Sequence, residues 1–252
     1  IPKTLIVHTA ENVCLNSLLT KKDKSQCIGG IGSKCVTNKC VKKRNGFVRI
    51  IFSKWYNFIL KRNIACYFVL SDFMKIKLEN NGFKNIKKIS IQLENIKSIK
   101  LHKEKKSTIK FLYVGVLEWH KGVKEMISGF KHYCNIEAEH NCFLQIVGSG
   151  SMKEELELLV EEENLEERIS FTGSISHNEI NDFYTNSDVF IFCSFFETYG
   201  LVVLEAMKNQ MFIICHNRGA LPEVLTNYRK KIMLENLKPE TISKSILNYV
   251  KK

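Results

Sequence analysis

The sequence predicts an α/β protein: a doubly wound parallel-sheet domain preceded by a second, incomplete domain of related type. Three observations lead there. Short β-branched or aromatic runs alternate with stretches of helical period along most of the 252 residues. The runs are nearly continuous in apolar residues, as strands buried on both faces of a parallel sheet must be. The rhythm is also uneven, with five or six strand and helix pairs from residue 109 onward and only three convincing strands before it.

Taken in order, TLIVH predicts a strand over 4–8, followed by an irregular stretch over 9–46 and a helix over 47–62. ACYFVLS and KKISIQ predict strands over 65–71 and 87–92. The polar, lysine-rich run 97–107 is the natural boundary, giving domains over 1–102 and 103–252. Beyond it, strands are expected over 109–115, 142–148, 168–173, 188–194 and 212–216, with helices over 123–133, 152–163, 177–186, 201–208 and 240–250. The first half opens directly on a strand with no initiating Met, so the chain is expected to lack an amino-terminal portion.

Charge divides along the same line. Residues 1–110 hold 24 basic and 6 acidic side chains, a net of +18, whereas residues 111–252 hold 14 and 20, a net of −6. A basic half suits nucleic acid, an anionic membrane surface or a phosphorylated ligand. The longest nearly apolar stretch, VFIFCSFF, is far too short to span a membrane as a helix, and no signal-peptide pattern opens the chain, so a soluble or peripheral protein is expected. Nine cysteines, an odd number, fit free thiols in a reducing cytoplasm.

In the helix over 47–62, Arg49, Ser53, Asn57 and Lys61 fall four apart and form one polar stripe opposite a broad aromatic and aliphatic face. Two readings follow: a helix packed on the sheet with that stripe as a solvated edge, or a basic amphipathic surface that docks on anionic lipid.

The sharpest chemical signal is FFETYGLVVLEAM. Glu205 is the only charged residue between Leu201 and Met207, and a carboxylate on so apolar a helix costs several kcal/mol, to order of magnitude, unless something polar meets it. Vicinal ribose hydroxyls would satisfy it, and Glu197 on the preceding turn would reach another polar group of the same ligand. The alternative is two glutamates in unrelated local ion pairs. Gly200 allows close backbone approach at the start of the helix, where N–H groups and the dipole favour phosphate. Three more features sit at expected strand ends: Gly115 with Lys121 and Gly122, a cation on a flexible turn; Gly148 with Gly150; and Gly219 with Glu223. The crevice beyond the carboxyl ends of a parallel sheet is where such features converge.

From Phe111 to Leu225 the ordered series VGxLxxxKG, IVGxG, the Gly173 turn, SDVFIFCS, E-T-Y-G-L with a Glu eight residues on, and G-A-L-P-E resembles the nucleotide-binding domain of family 4 retaining glycosyltransferases of the two-Rossmann (GT-B) fold. His8, Cys14 and VLSDFMKIKLENNGF resemble the first domain of some bacterial members more loosely. The resemblance implies transfer of a sugar from a nucleotide-diphosphate sugar to an acceptor hydroxyl, with retention and no required metal or other cofactor, in polysaccharide or glycolipid synthesis. It implies that Lys121 holds the diphosphate, Glu197 a donor-sugar hydroxyl, the backbone at Tyr199, Gly200 and Leu201 the phosphates and sugar, and Glu205 the ribose. Gly115, Gly148, Ser194 and Thr198 complete the implied donor site, and His8 stands near the transferred sugar or acceptor. An ordinary strand-end histidine is the alternative for His8. Partners then are a nucleotide sugar, a glycan or lipid-linked acceptor and a peripheral anionic membrane surface, with no nucleic acid, at the inner, cytoplasmic face of the membrane.

Some positions depart from the pattern. Val116 stands where the family usually has Arg, which removes one diphosphate cation for which His120 and Arg218 are the candidate substitutes; Ala220 replaces a common Gly. The glycine-rich loop of the first domain and the final helix that crosses back between domains are not in these residues. A sugar-nucleotide-binding module without turnover is therefore the second reading. Cys14, Cys27, Cys35 and Cys40 lie in one loop at intervals of twelve, seven and four residues, and only the last spacing is close to a structural zinc pair, so free thiols in an acceptor-side loop are expected over a metal site.

Overall fold

The computed structural model describes residues 2–27, 30–41, 43–90, 108–137 and 141–251. The chain divides into two compact units: Ile1–Gln92 with Phe195–Tyr199 and Arg218–Val224, and Leu93–Ser194 with Gly200–Asn217 and Leu225–Lys252. The expected boundary run 97–107 lies outside the described residues.

The first unit runs β1 (Lys3–Ile6), α1 (Lys34–Thr37), α2 (Lys43–Asn63), β2 (Ile64–Val69), α3 (Asp72–Glu79) and β3 (Ile86–Lys88). Its sheet has the order β1-β2-β3 with both pairings parallel. Val7, Leu19, Tyr67, Val69, Met74, Leu78 and Phe83 form its core, joined by Phe196. Helix α3 starts at a good cap, the Ser71 hydroxyl accepting from the Met74 amide at 3.2 Å.

The expected irregular stretch 9–46 is shorter than read, because α2 already begins at Lys43; its described residues before α2 are irregular apart from the four residues of α1, and four non-glycine residues among them, Ser17, Leu19, Lys24 and Lys39, take positive φ. Such a loop presents backbone carbonyls with no ladder N–H to donate to them. Helix α2 answers that need, and this corrects the first of the two readings, in which its aromatic and aliphatic side packs on the sheet. Arg49 donates to the Leu15 carbonyl at 3.0 Å and Asn57 to the Asn12 carbonyl at 2.8 Å, while Lys61 reaches the Asn81 carbonyl at 2.6 Å. The polar stripe therefore bonds to the unit, beside buried Ile50 and Leu60, with Ser53 and Asn57 half-buried and Arg49 and Lys61 still exposed at their outer atoms, and the aromatic and aliphatic side is left exposed.

The second unit runs β4 (Ile109–Val114), α4 (Val123–Ile136), β5 (Cys142–Val147), α5 (Lys153–Glu162), β6 (Ile169–Gly173), α6 (His177–Asn186), β7 (Val189–Phe192), α7 (Leu201–Lys208), β8 (Phe212–His216), β9 (Lys231–Leu234) and α9 (Pro239–Val250). The short α8 (Leu221–Val224) groups with the first unit. The six strands are all parallel in the order β6-β5-β4-β7-β8-β9. Phe111, Leu112, Tyr113 and Val114 of β4 and all four residues of β7 are buried, which is why these two central strands read as unbroken apolar runs. Strand β9 was not expected; it is a four-residue edge strand behind a basic run. Helix α9 packs on α4 so closely that a Cβ on Gly129 would lie 2.5 Å from the Ile242 side chain.

Removing the Asn57 amide leaves the Asn12 carbonyl without that donor. Asn57→Ala is expected to cost about 1–3 kcal/mol of stability, whereas Ile51→Ala on the exposed side stays within about 0.5 kcal/mol. Urea unfolding of the two variants measures the contrast.

Candidate functional site

The second unit has one topological switch point. Strand β4 is first in the chain yet lies between β5 and β7, and the strand order reverses across the β4/β7 pair. Chains leaving the carboxyl ends of neighbouring strands there diverge and open a crevice. The loop after β4 is tied to both neighbours. On one side the Leu117 amide donates to the Ser149 carbonyl at 2.9 Å and the Glu118 carboxylate accepts from the Ser151 amide and hydroxyl at 3.1 and 2.9 Å. These bonds hold the Glu118 carboxyl below the usual range. On the other side the Ser194 hydroxyl donates to the His120 carbonyl at 3.3 Å.

Glycine makes this lacing possible at two places. A Cβ on Gly148 would lie 1.9 Å from the Gly115 carbonyl oxygen. Gly122 has φ +66°, and its Cβ would lie 2.0 Å from the Cys193 carbonyl oxygen. Gly115, Gly148, Gly122 and Ser194 thus form one strand-end platform.

Lys121 ends a 3-10 turn (Trp119–Lys121) on that platform, its ammonium 5.7 Å from the centre of the buried Phe192 ring. Val116 beside it is half exposed and adds no charge. His120 does not replace the missing cation in this state, because burial first and the Lys121 charge second push its pKa down to about 4, and the imidazole is neutral near pH 7. Arg218, the other candidate, belongs to the first unit, where it donates to the Gln26 side chain at 3.2 Å.

Opposite Lys121 in the chain's course, β7 runs into buried Ser194, whose carbonyl lies 3.0 Å from Nδ1 of buried His216. A carbonyl only accepts, so that ring nitrogen carries the proton. Helix α7 opens at Gly200 with φ 89° and exposes Leu201 in its first turn, where an α-helix leaves its amide donors without intrahelical acceptors. One turn in, Glu205 is half-buried and meets a polar partner as its apolar surroundings demand: the Tyr184 hydroxyl donates to its carboxylate at 2.7 Å. Burial, then the Glu205 charge, pushes the Tyr184 phenol well above its ordinary range, so it stays a donor. Tyr184 and His216 are site residues that sequence reasoning missed. The need for a partner at Glu205 was legible, but no spacing rule links it to a tyrosine 21 residues earlier on α6.

The remaining expected residues lie in the first unit. Glu197 and Tyr199 are half-buried, and the backbone of Glu197 is fixed by the Ala220 amide, which donates to its carbonyl at 3.0 Å. The Thr198 hydroxyl donates to the carbonyl of exposed His8 at 2.8 Å, and the Thr198 carbonyl accepts from Ser71 at 2.7 Å. Glu223 caps α3, accepting from the Asp72 and Phe73 amides at 2.8 and 3.0 Å and from Lys88 at 3.1 Å. It holds structure in place and presents no chemistry of its own.

The cysteine loop encloses a cavity of about 450 Å3 lined by Cys14, Cys27, Cys35 and Cys40 with Lys21 and Lys34. Burial pushes the Cys14 and Cys40 thiols up, all nine cysteines are free, and among the described residues no group of three or more His, Cys, Asp or Glu is placed to hold a metal.

Residues 93–252 match the family described as glycosyl transferases group 1. An uncharacterized glycosyltransferase of Methanocaldococcus jannaschii is 29% identical over 132 residues, 52% of this chain and 33% of that protein. The phosphatidylinositol N-acetylglucosaminyltransferase gpi3 subunit of Schizosaccharomyces pombe is 25% identical over 151 residues, 59% of this chain and 32% of that one. The aligned stretch thus spans about a third of the length of each relative. Anabaena HepE, solved in complex with UDP and glucose, superposes with a TM-score of 0.69 over 100% of this chain and 62% of its own at 13% identity. This likeness shows the fold: the GT-B class, with parallel-sheet Rossmann-like units.

Two outcomes follow from the platform. Gly122→Ala is expected to destabilise the protein by about 1–3 kcal/mol, through the close Cys193 carbonyl and the left-handed backbone. For His120 the folded pKa lies below the ordinary 6.5, so the unfolded chain takes up the proton first. Its contribution is whole above about 6.5 and is lost as pH falls toward about 4. Wild type should lose stability against His120→Gln across that window in urea midpoints, and parallel pH profiles would contradict the assignment.

Proposed function

The chain belongs to the glycosyl transferases group 1 family, and on that premise we propose that it transfers a sugar, with retention as in family 4, from a nucleotide-diphosphate sugar to an acceptor hydroxyl. The observation that carries the reading is the switch-point platform, where Lys121, Ser194, the amino terminus of α7 and Glu205 all stand at the carboxyl ends of β4 and β7 in one unit. In this proposal the ammonium of Lys121 and the first amides of α7 receive the diphosphate. Preorganised donors of this kind stabilise the negative charge that develops as the nucleoside diphosphate departs.

Glu205 takes the ribose hydroxyls. Its hydrogen bond from Tyr184 leaves further lone pairs on the carboxylate for them. Glu197 holds a hydroxyl of the donor sugar, with the Tyr199–Leu201 backbone alongside, and His8 serves the transferred sugar or acceptor. The leaving phosphate removes the acceptor proton, and the scheme calls on no metal. The acceptor is a glycan or lipid-linked alcohol, used in polysaccharide or glycolipid synthesis at a peripheral contact with the inner, anionic membrane surface. A relative named for transfer to phosphatidylinositol supports a lipid acceptor.

Exposed Val116 and neutral His120 favour a second reading, donor binding without turnover, because they leave Lys121 without a second cation on its own platform. Donor binding with neither transfer nor donor hydrolysis would select it.

Thermal unfolding with UDP- and GDP-sugars tests the proposal. A donor at about 100 times its Kd should stabilise the fold by about 2.7 kcal/mol, a shift of several degrees. Glu205→Ala should lose at least half of that shift. No shift with any nucleotide sugar, or an equal shift in Glu205→Ala, would overturn the donor site.

A further inference from the structure

Among the described residues of the first unit, one side of α2 leaves a row of large hydrophobes uncovered. Phe47, Val48, Ile51, Phe52, Trp55 and Phe58 are between 54% and 69% exposed, all on one helix. At 1.5 Å per residue they run for roughly 16 Å. Soluble surfaces seldom display contiguous large hydrophobes on this scale without a partner. The hydrogen bonds of Arg49, Asn57 and Lys61 to carbonyls of the unit fix the rotation of the helix, so this side cannot turn inward without breaking them.

The charge on the same helix narrows the partner. No acidic residue occurs between Lys43 and Asn63. At 100° per residue Arg44 and Arg62 fall on the axis of the exposed side, one at each end, and exposed Lys54 flanks it. The Arg62 guanidinium lies 4.7 Å from the centre of the Phe58 ring, which holds a cation against the apolar strip. A second copy of the helix would bring these cations together, whereas an anionic bilayer meets both the apolar strip and its charge.

We infer that the α2 face of Val48, Ile51, Trp55 and Phe58, bracketed by Arg44 and Arg62, docks on an anionic phospholipid bilayer, with Trp55 at the headgroup level. The helix lies in the plane of the interface and does not cross it; no helix among the described residues is long and apolar enough to span a membrane. The inference deepens the membrane contact of the proposed function. It places a transferase against the surface where lipid-linked acceptors reside.

Vesicle flotation of the whole chain tests it, with vesicles of phosphatidylcholine plus phosphatidylglycerol against phosphatidylcholine alone. Wild type should float with the anionic vesicles and release as salt rises. Ile51→Glu with Trp55→Glu, both solvent-facing, should reduce the bound fraction about tenfold. Arg44→Glu with Arg62→Glu should reduce it about as much. Far-ultraviolet circular dichroism of each double variant verifies folding. Failure of wild type to float with anionic vesicles, or unchanged flotation of both double variants, would overturn the inference, as would a concentration-dependent dimer that Ile51→Glu with Trp55→Glu abolishes. The nucleotide-sugar thermal shift involves no residue of α2, so a negative flotation result with an intact shift removes the docking surface alone, and a lost shift with intact flotation removes the donor site alone.

Discussion

The second unit depends on the adjacency of β4 and β7. That pair sits at the centre of the sheet, is buried over Phe111–Val114 and Val189–Phe192 and marks where the strand order reverses. Its burial explains the apolar runs of the sequence, and its reversal leaves room at the strand ends. The loops there approach backbone to backbone, with Gly122 on the Cys193 carbonyl and Gly148 on the Gly115 carbonyl, because a Cβ at either position would fill the gap. Lys121 and α7 are set by loops that have little freedom to move apart.

The same economy explains how a unit with a net negative half-chain can be proposed to bind a diphosphate. Net charge steers over long range, but recognition is decided within a few ångströms by an ammonium and by amide donors at a helix terminus. Glu205 lies one turn into α7, where the Tyr184 hydroxyl donates to its carboxylate. In the first unit the positive surplus has a different geometry. Arg49 and Lys61 donate to loop and turn carbonyls, while Arg44, Lys54 and Arg62 are exposed beside the exposed hydrophobes.

Much of this architecture was legible in the residues because parallel strands advertise burial on both faces. Five of the six strands in the second sheet, and the start of α7 at Gly200, follow from local pattern alone. Strand β9 did not, since four residues behind a basic run carry too little periodicity. The orientation of α2 does not follow from its stripe alone, because polar residues four apart serve equally as a solvated edge and as donors to a neighbouring loop. An irregular loop with open carbonyls makes the inward direction favourable for the same stripe. Of the residues at the proposed donor site, Lys121, Ser194, Gly200 and Glu205 follow from motif order, whereas Tyr184 and His216 do not. Their roles depend on which strands and helices become neighbours, and sequence distance does not encode that.

The claim that the β4/β7 switch point is the donor site is tested most directly by amide chemical-shift mapping of the isotope-labelled chain with UDP. The account predicts that the largest perturbations gather at Gly115, Gly122, Ser194, Gly200 and Leu201. Saturable perturbations gathered elsewhere, such as the thiol-lined cavity of Cys14 and Cys35, with these five amides unmoved, would contradict it.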